Sequence, residues 1–129
     1  MINYGFTKAL DTPYETVVKQ IKEALKNEGF GILTEIDVRK IMKEKLGVDM
    51  NKYIILGACN PPNAFQAILT EENIGLLLPC NVIVYEKGDT TVLSVIRPTV
   101  AMQMVDNMEL QIIAPAVEEK LKKAFDSIK

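Results

Sequence analysis

Two β-type runs around a short turn constrain this chain more than any other feature. Val82-Ile83-Val84-Tyr85 and Thr91-Val92-Leu93-Ser94-Val95-Ile96 flank Glu86-Lys87-Gly88-Asp89. β-Branched and aromatic residues favour strands, and a Gly-Asp pair supplies the backbone freedom that a tight turn needs. The pattern predicts a β-hairpin. Arg97-Pro98 ends its second strand, because proline has no N–H for the ladder. A hairpin is antiparallel, so a sheet built on it is antiparallel where the hairpin joins it.

The rest of the chain adds elements on either side. Residues 2–10 alternate weakly and read as an edge-like strand. Asp11 or Thr12 is placed to cap a helix with Pro13 in its first turn. Tyr14, Val17, Val18, Ile21, Ala24 and Leu25 follow at helical spacing, and Gly29 stops them. Residues 30–38 read as a strand. Asp37 then caps a short helix carrying Val38, Ile41, Met42 and Leu46, with Gly47 just past its end. Residues 53–59 form a third β-type run. Asn60 is placed to cap, and Pro61 to open, a helix through Ala64, Phe65, Ala67, Ile68 and Leu69. The first β-type run of the hairpin extends back through Leu76-Leu77-Leu78-Pro79-Cys80-Asn81, so that it spans Leu76 to Tyr85. A short helical stretch is expected at residues 100–105. A last helix carries Leu110, Ile113, Ala114, Val117, Leu121, Ala124, Phe125 and Ile128 on one stripe, with Pro115 either kinking it or opening its regular part. The order β-α-β-α-β-α-β-β-α predicts an α+β fold: a mainly antiparallel sheet packed on one face by helices.

Composition narrows the function classes. The chain has 129 residues, which suits one domain spanning 1–129. It carries 15 Lys and Arg against 17 Asp and Glu, a net charge of −2, which argues against a general electrostatic grip on nucleic acid. No histidine is present, which removes Ser-His-Asp triads, Cys-His dyads and histidine metal sites. The opening Met1-Ile2-Asn3-Tyr4 has no basic or apolar leader pattern, and the longest apolar stretch is broken by Gly75, Pro79 and Asn81. The expectation is a cytoplasmic protein without a membrane segment, with Cys59 and Cys80 as free thiols.

Those two cysteines form the most distinctive pattern. Cys59-Asn60 and Cys80-Asn81 are the same two-residue step, each at the edge of a predicted strand and each beside proline. If the strands are neighbours, both thiols approach one spot. Free cysteine is commonly a small buried hydrophobe, with Asn60 then a cap and Asn81 a turn residue. A reactive thiol is a second reading, since the helix after Cys59 would lower a thiol pKa at its N-terminus. Thiolate metal ligation with Glu35 or Asp37 is a third, weakened by the absence of any CxxC. Glu35 and Asp37 are two apart, so on a strand they share a face; the ordinary reading is Asp37 as a cap and Glu35 solvated or ion-paired. Met102, Met104 and Met108 cluster before the last helix, where methionines fill cores or line adaptable grooves.

Three segments together resemble a known family. They are Gly29-Phe30-Gly31-Ile32-Leu33-Thr34-Glu35-Ile36-Asp37-Val38 with Lys45-Leu46-Gly47-Val48, Tyr53-Ile54-Ile55-Leu56-Gly57-Ala58-Cys59-Asn60-Pro61, and Ile74-Gly75-Leu76-Leu77-Leu78-Pro79-Cys80-Asn81-Val82. In this order they are similar to the signatures of the domain of unknown function 302 family. The resemblance covers nearly the whole chain. It implies a TATA-binding-protein-like α+β fold, with a curved antiparallel sheet under helices, and a homodimer. It implies no reaction, and a shared fold does not carry DNA binding with it. The reading is therefore a small-molecule or partner-binding module. Its candidate ligand-binding residues are Cys59, Asn60, Cys80, Asn81, Glu35 and Asp37. Exposed apolar residues among Leu76, Leu77 and Leu78, or within 102–108, are the candidate dimer contact.

Overall fold

A computed structural model describes residues 2–129. Five strands form one antiparallel sheet: β1 (Gly5–Leu10), β2 (Gly31–Asp37), β3 (Tyr53–Cys59), β4 (Cys80–Lys87) and β5 (Thr90–Ile96), in the order β1-β5-β4-β3-β2. The helices are α1 (Tyr14–Asn27), α2 (Val38–Leu46), α3 (Pro61–Thr70), α4 (Pro98–Ala101) and α5 (Met108–Ser127). The fold is α+β, as the element order predicts.

The predicted hairpin is β4–β5, and it lies in the interior of the sheet. Gly88 has φ +59° and, among the described residues, no non-glycine residue has positive φ, so only the first central turn position is left-handed, the pattern of a type II′ turn. The Thr90 hydroxyl closes the turn by donating to the Lys87 carbonyl at 2.8 Å. The first two strands in sequence occupy opposite edges, so the chain must cross the whole sheet between them. Four strand spacings are roughly 19 Å, and the 14-residue α1 is roughly 21 Å long. One helix therefore makes the crossing.

Period-two alternation sorts the strand residues onto two faces. Leu56 and Ala58 of β3, Val82 and Val84 of β4, and Leu93 and Val95 of β5 turn towards the helices. They are buried there against Val17, Ile21 and Leu25 of α1 and Leu121, Ala124 and Phe125 of α5. The opposite face carries the Tyr53–Tyr85 pair, stacked at 5.2 Å between centroids, together with Ile83, Ser94 and Thr7. Lys8 of β1 ties the end of α5 to the sheet edge: its ammonium donates to the carbonyls of Phe125 and Ile128 and lies 4.3 Å from the Phe125 ring centroid. A cation at a helix C-terminus complements the unpaired carbonyls of the last turn. A second, smaller apolar cluster joins Ala67, Ile74, Met102, Leu110 and Ala114.

Most local expectations are met. The Asp37 carboxylate accepts from the Lys40 N–H at 3.0 Å as the cap of α2, and Gly47 ends that helix at φ +68°. Three expectations are corrected. Neither Asp11 nor Thr12 caps α1. Pro13 holds the cap position without a side-chain bond, because the Thr12 hydroxyl instead donates to the Lys129 carbonyl at 3.1 Å. Leu76 and Leu77 are not strand residues but end a 3-10 segment, Glu72–Leu77; Pro79 cannot donate to a ladder, so β4 begins at Cys80. Pro115 does not open the last helix. That helix starts seven residues earlier, where the Asn107 side chain accepts from the N–H groups of Glu109 and Leu110.

Candidate functional site

The two apolar clusters do not fuse completely. Between them lies a cavity of about 290 Å³. Phe30, Ala58, Cys80 and Val117 face it from the main core. Ala67, Met102 and Ala114 face it from the smaller one. Cys59, Asn60, Asn63, Ala64 and Ile68 bring in the end of β3 and the inner face of α3. Leu78 and Pro79 close the side where the chain enters β4, and Pro98 closes the side of α4. The wall is almost wholly apolar and carries no ionised side chain.

Sheet register explains why both cysteines reach this place. β3 and β4 are neighbours, and Cys80 pairs with Ala58, the residue before Cys59. Cys80 is buried and Cys59 half-buried, and both are free thiols. Burial in apolar surroundings, with the neighbouring Cys59 adding to it, pushes the Cys80 thiol up to about 11. That thiol stays protonated at neutral pH, the reverse of what a nucleophilic thiolate requires. Among the described residues, no group of three or more Cys, Asp or Glu side chains converges as a metal centre would require.

Asn60 does two things at the cavity wall. Its side-chain oxygen accepts from the Asn63 N–H at 3.4 Å, capping α3, and its amide donates to the Glu28 carbonyl at 3.5 Å. The residue is 7% exposed, so it joins the end of α1 to the start of α3 from inside the protein. Glu118 of α5 fixes α4 in the same way. Its carboxylate accepts from the Thr99 N–H at 3.0 Å and the Thr99 hydroxyl at 2.6 Å, and pairs with Arg97 at 3.4 Å. This holds Pro98 against the cavity.

The remaining sequence candidates lie elsewhere. Asn81 is exposed and pairs with Gly57 on the sheet face opposite Cys80 and away from the cavity, as alternation along β4 requires. Glu35 is exposed and pairs with Lys22 at 2.6 Å. Asp37 caps α2 at the far end of β2. The structure thus brings together Cys59, Asn60 and Cys80 and leaves Asn81, Glu35 and Asp37 outside. Sequence reasoning missed Phe30, Asn63, Ala67, Pro98 and Val117 as wall residues. For Ala67 and Val117 the signal was present only as core periodicity, which does not distinguish a packed contact from a cavity wall; Phe30, Asn63 and Pro98 carried no such pattern. Of the three clustered methionines, Met102 is a wall residue, whereas Met104 and Met108 are 74% and 84% exposed.

Among the described residues no helix is long and apolar enough to cross a membrane. No curated protein matches the chain. Among solved structures, it is similar to the crystal structure of an uncharacterized conserved protein DUF302 from Bacillus stearothermophilus, with 30% identity, 98% of each chain covered and a TM-score of 0.91. The family described as Domain of unknown function DUF302 matches residues 6–128. The family match over nearly the whole chain and the likeness to a solved member of the family agree: the chain belongs to the DUF302 family.

Proposed function

We propose that this domain is a small-molecule-binding module whose site is the cavity at the two-cysteine end of β3 and β4. One observation carries the reading: the two apolar clusters leave about 290 Å³ open between them, walled by side chains from five separate segments. The space is partly open to solvent, so its apolar wall is left against water, and an apolar ligand would take that wall out of water. Its size is at the lower end for ligand pockets, and its few polar groups (Asn60, Asn63 and two thiols) suit an apolar molecule with one polar end. The high Cys80 pKa works against the thiol-enzyme reading.

Native mass spectrometry of the protein purified from cells is expected to show a retained small molecule. Titration with 1-octanol should shift the amide resonances of Phe30, Asn60, Ala64 and Met102. An Ala64→Phe variant, whose ring enters the cavity, should bind neither. A wild-type protein with no retained mass and no octanol-induced shifts at these four residues refutes the proposal.

A second copy of the chain is the partner we propose. Leu76 is 87% exposed, and Met104 and Met108 project from the loop before α5 and its first turn. Large apolar side chains left this far in water support an association surface. Light scattering at micromolar concentration should give twice the chain mass, and Met108→Lys with Leu76→Lys should restore the single-chain mass. A wild-type monomer refutes it.

A further inference from the structure

Resting on the reading of the cavity as a ligand site, we propose that its ligand is an amphipathic monocarboxylate, with its chain in the cavity and its carboxylate against Lys120. Lys120 stands three residues after Val117 on α5, so the two share one side of that helix. Its ammonium donates to the side-chain oxygen of Asn63 at 3.5 Å, and Asn63 is a wall residue. The lysine is therefore at the rim, between α3 and α5.

Its charge is not otherwise matched. Lys120 is half-buried and takes part in no ion pair among the described residues. Arg97, on the α4 side of the same cavity, is already neutralised by Glu118. Within the cavity nothing charged competes for the head, and the protonated Cys80 does not repel a chain. A carboxylate at Lys120 would replace a long, weak amide contact with a charge-assisted hydrogen bond.

Volume sets the chain length. At roughly 30 Å³ per small unit of liquid, about 290 Å³ holds on the order of ten non-hydrogen atoms. That corresponds to a chain of about eight to ten carbons.

Calorimetric titration with hexanoate, octanoate, decanoate and dodecanoate tests the chain. Affinity is expected to rise about fourfold per methylene as far as decanoate and then level off. Octanoate against 1-octanol, octylamine and methyl octanoate tests the head, the ester separating a free acid from an acylated carrier. Octanoate should bind about tenfold more tightly than the other three. Lys120→Met, which keeps the aliphatic stem, should bring octanoate down to the level of octanol and leave octanol unchanged; Lys120→Arg should keep the preference. If octanol and octanoate bind wild type equally, or Lys120→Met leaves octanoate unaffected, the carboxylate assignment is overturned while the cavity reading stands. If no member of either series binds, the cavity reading falls as well.

Discussion

The Cys80 thiol makes a prediction that can be worked through from its surroundings. Its pKa is raised from 9.0 to about 11, chiefly because burial removes water from the thiolate. At pH 8 an ordinary thiol of pKa 9 is about 9% ionised, and one of pKa 11 about 0.1%, so the reactive fraction falls roughly a hundredfold. Iodoacetamide labelling of Cys80 in a Cys59→Ser variant should be at least that much slower than in the unfolded chain, with a rate midpoint well above pH 9. Most of the shift survives the loss of Cys59, because burial is its larger cause. The same shift acts on stability. Between pH 9 and 11 the unfolded chain gives up the proton and the folded chain keeps it, so stability falls as pH rises through that window. The loss is at most about 2.7 kcal/mol by pH 11, at 1.36 kcal/mol per pH unit. Tyr14, raised to about 12 by burial, adds a loss of the same sign between pH 10 and 12. Urea unfolding from pH 8 to 11 should therefore show a steeper decline for wild type than for Cys80→Ala, the difference belonging to Cys80 alone. A labelling midpoint near pH 9, or identical pH slopes in the two proteins, would refute the assignment of Cys80 to a dry apolar site.

Three further outcomes follow from packing and hydrogen bonding. Gly57→Ala should cost about 1–3 kcal/mol in urea unfolding, because a Cβ there meets the Thr34 side chain and the Pro79 ring, the latter at 2.7 Å. Adding Thr34→Ala should recover only part of the loss, since the proline ring cannot move aside. Asn60→Ala should cost about 1 kcal/mol for the lost helix cap and more for the Glu28 carbonyl it leaves unpaired; Asn60→Asp should retain the cap alone. Leu121→Ala removes a fully buried side chain between α5 and the sheet, and a loss of about 3 kcal/mol is expected; a loss below about 1 kcal/mol would mean that α5 is not firmly docked there.

Helices, strands and their ends were legible because their causes are local. Asp37 and Asn60 cap because their side chains reach an N–H three residues on. Gly88 turns the hairpin because it tolerates positive φ. The cap of α1 was misread because a residue 117 positions away competes for the Thr12 hydroxyl. The split of each Cys-Asn step was partly readable. Neighbours on a strand face opposite ways, so Cys80 and Asn81 were bound to separate once β4 contained both. Cys59 and Asn60 stay together because β3 ends between them and Asn60 turns to cap α3.

The sequence by itself determined an α+β chain with an antiparallel hairpin, two cysteines and no histidine chemistry. Periodicity, turn residues and composition act within a few positions or on the chain as a whole. Only the tertiary structure decided that β1 and β2 lie on opposite edges, that two apolar clusters stop short of merging, and that Lys120 comes to the rim beside Asn63. A cavity is the space that packing fails to fill. Its wall is assembled from segments as far apart as Phe30 and Val117, and no local pattern records where they will fail to touch.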